Sequence, residues 1–179
     1  MGYADSKAGA GAKLQIKVEY FGFCHNRADP IRFLLHHAKV DYEYVGYEQA
    51  QWGAIKGTPA AGEFGGLPKV TYAGKEYGQS MATLRMLGAK LGYYDPKDWK
   101  MAAKIDQILD AWVDMLEKVN GVNFSNASQE EKSKLVDERI KLAHEPALRV
   151  MEEMLAEGPY LAGAKVTIAD CAIVATLAN

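Results

Sequence analysis

Leu14, Ile16, Val18 and Tyr20 alternate with polar neighbours in LQIKVEY, and a period of two is the signature of a half-buried strand. After a short loop, Ile31, Leu34, Leu35 and Ala38 recur at helical spacing. Asp29 is the expected cap of that helix and Pro30 its first residue, where a missing N–H costs nothing. Residues 41–47 (DYEYVGY) read as a second strand and the glycine-rich 57–66 as a loop. LPKVTY and KEYG, joined through Ala73-Gly74, read as a β-hairpin. Leu84, Leu87 and Leu91 then mark a helix that begins at Ser80. The first half of the chain therefore reads β-α-β-β-β-α.

Asp95-Pro96 breaks this pattern, and helical periodicity takes over. Trp99, Ala102, Ile105, Leu109, Trp112, Leu116 and Val119 form one long apolar stripe. Ser128 and Glu131 have capping-box spacing for the next helix, which Pro146 should kink or split and Gly158-Pro159 should end. Thr167 and Asp170 repeat the capping box ahead of Cys171, Ile173 and Val174. The pattern stops in mid-helix at Asn179, which leads us to expect an incomplete helical domain. The expected organisation is a flexible tail over 1–13, an α+β domain over 14–94 and an all-helical domain over 95–179.

Composition narrows the function classes. The chain has 179 residues, 49% of them apolar, enough to bury a core. Lys+Arg of 21 and Asp+Glu of 23 are interspersed and leave a net charge of -2, so there is no footprint for a nucleic-acid partner. No apolar run is long enough for a membrane span or a signal peptide. Cys24 and Cys171 are too few for a disulfide framework and lack zinc spacing, so we expect a reducing, cytoplasmic setting and no metal site. Met1-Gly2 with Ser6 fits the N-myristoylation pattern, but no basic cluster supplies a second membrane signal, and we read it as a chance match.

The stretch GGLPKVTYAGKEYGQS, residues 65–80, carries the candidate chemistry. A proline at the entry to the hairpin is well placed for the cis form, which would turn the backbone N–H and C=O of Leu67 toward an extended peptide. The helix start at Ser80 offers free N–H groups and a dipole that favour an anion, with Gln79 and the Ser80 hydroxyl as further partners. Together these describe a site for a short peptide with a carboxylate; the competing reading of Gln79-Ser80 is an ordinary N-cap.

With VEYF, RADPIR, QWGAIK and VTIAD, in this order and spacing, that stretch resembles the cytosolic glutathione transferases of the tyrosine type. The similarity is greatest to the sigma class, with mu-like and alpha-like features, and runs from about residue 14 to the last residue. The resemblance implies a thioredoxin-like α+β domain followed by an all-α domain, and a homodimer. It also implies glutathione as co-substrate without any cofactor, and conjugation to a hydrophobic electrophile, with prostaglandin isomerase or peroxidase side activities.

Residue by residue, the resemblance makes Tyr20 the catalytic hydroxyl that holds the glutathione sulfur as thiolate, with Arg27 assisting. Lowering a thiol near pKa 8.5 by about two units requires roughly 2.7 kcal/mol, and one charge-assisted hydrogen bond contributes about 1.5 to 3 kcal/mol. Trp52 and Lys56 would hold the glycine end, Leu67 beside Pro68 the cysteinyl backbone, and Gln79 with Ser80 the γ-glutamyl carboxylate. Asp114 would reach the γ-glutamyl amine of a neighbouring subunit. Phe23, Met115 and Leu116 are candidates for the electrophile's surroundings.

The segment FGFCHN between Tyr20 and Arg27 is one residue longer than the sigma pattern, and Cys24 within it raises a thiol-reductase reading. No CxxC-like or CPxx-like start supports that reading. The alternative from another class is a non-catalytic, transferase-like assembly subunit.

Overall fold

The computed structural model describes residues 15–24, 26–123 and 125–177. The expectations for the 1–13 tail and for Gly2 lie outside these residues, as does His25.

Strands β1 (Ile16–Phe21), β2 (Glu43–Tyr47), β3 (Lys69–Tyr72) and β4 (Lys75–Tyr77) form one sheet in the order β2-β1-β3-β4. β1 runs parallel to β2 and antiparallel to β3, with Val18 opposite Val70 and Glu19 opposite Lys69. The alternation in LQIKVEY sends Ile16, Val18 and Tyr20 into the core, beneath helices α1 (Asp29–His37) and α3 (Ser80–Leu91). The hairpin turns through Ala73 and Gly74, both at positive φ (51° and 79°), the geometry of a two-residue primed turn.

Asp29 differs from expectation. It is the first residue of α1 rather than its cap, and it is buried, with its carboxylate 2.9 Å from the Arg32 guanidinium. A further helix, α2 (Gln49–Ile55), follows β2 where the sequence pattern predicts no element, ahead of the expected loop over 57–66. It is seven residues long, contains Gly53, and buries only Trp52, so neither periodicity nor propensity marks it.

The second half is helical throughout: α4 (Trp99–Asn123), α5 (Gln129–Arg139), α6 (Glu145–Ala156) and α7 (Ile168–Leu177). In α4 the stripe runs through Ala102, Ile105, Ile108, Leu109, Trp112 and Met115, while Trp99 at the start of the helix is 70% exposed. The Ser128–Glu131 capping box forms as expected. Pro146 splits the helix: its missing N–H and its ring disturb the preceding turn, and Ile140–His144 opens into a π-helical segment between α5 and α6.

Asp170 ties the entry of α7, accepting bonds from the backbone N–H groups of Thr167 (2.8 Å) and Leu161 (2.9 Å) and from the Thr167 hydroxyl (2.9 Å). α7 lies against α1, α3 and α4, so one apolar core runs from the sheet through to the helices. A side chain at Gly88 of α3 would stand 2.5 Å from Cγ2 of Ile168, so glycine there lets the two helices meet.

Candidate functional site

Four of the residues singled out above come together at the start of α3. Arg27, Gln79, Ser80 and Asp114 line a cavity of about 380 Å³, with Met81, Ala82, Asp110 and Val113 completing its wall. The α3 N-terminus faces it, so free N–H groups and a positive dipole end meet a hollow with both signs of charge. Ser80 is 6% exposed, yet its hydroxyl makes no hydrogen bond among the described residues. A hydroxyl that no protein group engages is available to a ligand accepting or donating there. Gln79 precedes it at φ 64° and is exposed, a conformation that non-glycine residues rarely adopt and that ends the approach from β4 abruptly.

The acidic wall comes from α4. Asp110 and Asp114 are one helical turn apart, and Glu117 follows on the same side. Arg27 is paired with Glu117, and Asp110 is 3.5 Å from the Arg85 guanidinium. Asp110 was missed from sequence, although its spacing from Asp114 places both on one face of α4.

Tyr20 stands at the end of β1, 5% exposed, with its ring edge-on to Phe21 at 5.1 Å. Burial pushes the phenol well above the usual tyrosine range; Cys24 adds to this, and the backbone N–H and guanidinium of Arg27 pull weakly the other way. Tyr20 is therefore a protonated hydroxyl at neutral pH, the form that donates a hydrogen bond. Cys24, half-buried, is also raised, first by burial and then by Asp29, so it is a thiol and a weak nucleophile at neutral pH.

The other candidates lie outside the α3 cavity. Trp52 on α2 is buried against Phe21 (6.1 Å between ring centroids, perpendicular) and Tyr47 (6.2 Å), and Lys56 is the exposed cap residue of the same helix. The Leu67–Pro68 peptide is cis, Leu67 is half-buried, and its backbone N–H and C=O make no hydrogen bond among the described residues. Of the residues considered for an electrophile, Phe23 is 56% exposed and Leu116 half-buried, whereas Met115 is enclosed in the core at 2% and faces no ligand. Among the described residues no group of His, Cys, Asp and Glu is arranged to hold a metal.

A sheet of order β2-β1-β3-β4 with one parallel and two antiparallel pairings, a cis-proline before β3 and a helical half packed on it defines a thioredoxin-like domain joined to an all-α domain. Residues 99–179 match the family described as "Glutathione S-transferase, C-terminal domain". Glutathione S-transferase 4 of Caenorhabditis elegans is 27% identical over 157 residues, covering 85% of this chain and 74% of that one. Two solved structures share the fold over 92% of this chain and 80% of theirs: prostaglandin synthase D of Nilaparvata lugens (25% identical, TM-score 0.78) and a monomeric glutathione S-transferase of Necator americanus (26%, 0.77). The chain spans 57% of a glutathione S-transferase of Anopheles gambiae and 42% of glutathione S-transferase S1 of Drosophila melanogaster. Over residues 99–179 the chain is thus similar to the C-terminal domain of glutathione S-transferases, and over most of its length it shares the fold of enzymes of that name.

Proposed function

We propose that this chain binds glutathione along the edge running from α2 through Leu67 to the start of α3, holds its sulfur as thiolate, and directs it at a hydrophobic electrophile. The observation carrying the reading is the α3 cavity. It combines a helix N-terminus, the Ser80 hydroxyl, a glutamine, an arginine and two carboxylates, a set suited to an amino acid's carboxylate and ammonium groups. The γ-glutamyl end of glutathione has both charges on one carbon.

Tyr20 is the proposed thiolate stabiliser, its hydroxyl kept protonated by burial so that it donates to the sulfur. Arg27 adds positive charge nearby, shared with Glu117. Trp52 and Lys56 take the glycine end, Leu67 beside Pro68 offers its unbonded backbone groups to the cysteinyl unit, and Gln79, Ser80 and Asp114 take the γ-glutamyl end. The units proposed are 14–94 for glutathione and 95–179 for the electrophile side. Cys24 and Cys171 are both free thiols, in keeping with a reducing compartment such as the cytoplasm. The sigma-like sequence also motivates prostaglandin isomerisation as a side activity of the same thiolate. We further propose a homodimer.

The test is an ultraviolet difference titration of bound glutathione, for the parent protein and Tyr20→Phe, from about pH 5 to 9. Thiolate appearing about two pH units below the free thiol in the parent, and returning toward the free value in Tyr20→Phe, is the expected outcome. Glutathione bound without any thiolate would favour the non-catalytic assembly subunit instead.

A further inference from the structure

The face of the sheet opposite α1 and α3 carries a buried ion-pair network that none of the chemistry above uses. Lys69 is 6% exposed and Glu19, directly across the antiparallel pairing, is 4% exposed. The Lys69 ammonium is 3.5 Å from one Glu19 oxygen and 3.4 Å from Glu76 of β4, and Lys17 is 2.9 Å from the other Glu19 oxygen. Tyr47 donates its hydroxyl to Glu19 at 2.7 Å. Burial raises the Glu19 carboxyl, but the bonds from Tyr47 and Lys17 and the charge of Lys69 outweigh it and hold the group below the usual glutamate range.

Lys69 has one further bond, and it leaves the sheet. Its ammonium donates to the backbone carbonyl of Ala60 at 3.0 Å, in the short 3-10 turn Pro59–Ala61 that follows α2. The turn closes down on the lysine so tightly that a Cβ at Gly62 would lie 2.9 Å from Lys69 Cδ and 2.7 Å from a Glu76 oxygen. At the other end of α2, Tyr47 links Glu19 to the Trp52 ring, 6.2 Å away. Within α2 only Trp52 is buried, packed on Phe21 as well as Tyr47, and Lys56 at its end is exposed. The segment carrying Trp52 and Lys56 is thus tied to the Glu19–Lys69 network by the Ala60 bond that follows α2, and touches it through the Tyr47 ring against Trp52.

We infer that Lys69 is a positioning residue: by holding the Ala60 carbonyl it sets the α2 segment against the sheet, and so governs the affinity for the glycine end of glutathione without touching it. The inference rests on the glutathione reading above. A lysine in a solvated turn would be replaceable; this one is desolvated, and its partners are a strand carboxylate and a loop carbonyl. The α3 cavity lies in a different part of the structure and shares no residue with the network. The consequence is therefore selective: the γ-glutamyl end is bound as before while the glycine end loses its fixed partners.

Titration calorimetry with two probes, glutathione and γ-glutamylcysteine, which lacks the glycine, reads this directly. In Lys69→Met the preference for glutathione over γ-glutamylcysteine falls about tenfold, the order expected when one charge-assisted hydrogen bond is removed, while γ-glutamylcysteine binds as in the parent. Lys69→Arg keeps a donor for the Ala60 carbonyl and retains most of the preference. Because Lys69→Met alone leaves the Glu19 carboxylate unpaired, the double variant Glu19→Gln/Lys69→Met is measured beside it and shows the same selective loss. An unchanged preference in folded variants, or both affinities falling in step, overturns the positioning role alone. A parent protein that binds neither peptide overturns the glutathione reading, and the inference with it.

Discussion

Burial, more than residue type, decides what Tyr20, Cys24 and Glu19 do. Tyr20 and Cys24 are neighbours with protonation raised mainly by desolvation, so one serves as a hydrogen-bond donor and the other is a poor nucleophile. That counts against the thiol-reductase reading of FGFCHN. Glu19 is shifted the other way despite its burial. A carboxyl held below its ordinary value of 4.5 binds fewer protons folded than unfolded. Its stabilisation is present above that value and is lost as the pH falls through the lower, folded-state value. We expect urea unfolding midpoints to drop in acid below about pH 4.5 for the parent, and Glu19→Gln to be less stable at neutral pH with a shallower acid limb. An acid limb identical in parent and variant would remove Glu19 from the account. Sequence alone could not assign Glu19 its place: period two puts it on the polar face of β1, and Tyr47 and Lys69 meet it there from neighbouring strands.

At the scale of the element, the helices most clearly marked in the sequence were those with caps and long stripes. α3, α4 and α5 start at the residues that spacing and capping chemistry indicate. α2 escaped because it has one buried side chain and a glycine inside it; tertiary contacts through Trp52 make it a helix. The most consequential cap is Asp170, which satisfies two backbone N–H groups and one hydroxyl from two separate loop positions. Replacing it by alanine leaves these donors without their acceptor at the entry of the helix that fastens the two halves. Asp170→Ala is expected to cost about 1 to 3 kcal/mol, read as a lowered urea midpoint with unchanged slope. A loss within about 0.5 kcal/mol would reduce the cap to a surface feature.

For the whole molecule the open matter is whether a second copy is needed. The resemblance sends Asp114 to a neighbour's ligand, but within a single chain its carboxylate already lines the cavity that holds Arg27, Gln79 and Ser80. One chain therefore presents every candidate group for the γ-glutamyl end. Glutathione affinity is accordingly expected to stay constant as the protein is diluted through any dimer dissociation. Sedimentation velocity gives the state, and equilibrium dialysis at the same concentrations gives the affinity. Binding that disappears with the dimer would show that the partner's carboxylate is required.

What the sequence determined by itself was local: alternation for β1, turn chemistry at Ala73-Gly74, capping pairs at Ser128–Glu131 and Thr167–Asp170, and the long stripe of α4. Each follows from neighbours within four residues, where backbone geometry leaves few choices. The motifs around Tyr20, Pro68 and Gln79-Ser80 also carried the resemblance to the glutathione transferases. The tertiary structure decided what depends on distant segments meeting: Arg27 reaching Glu117 across ninety residues, the gathering of the α3 cavity from three elements, and the burial that sets the protonation of Tyr20 and Glu19. Desolvation and through-space charge depend on which atoms pack together, and residue spacing carries neither.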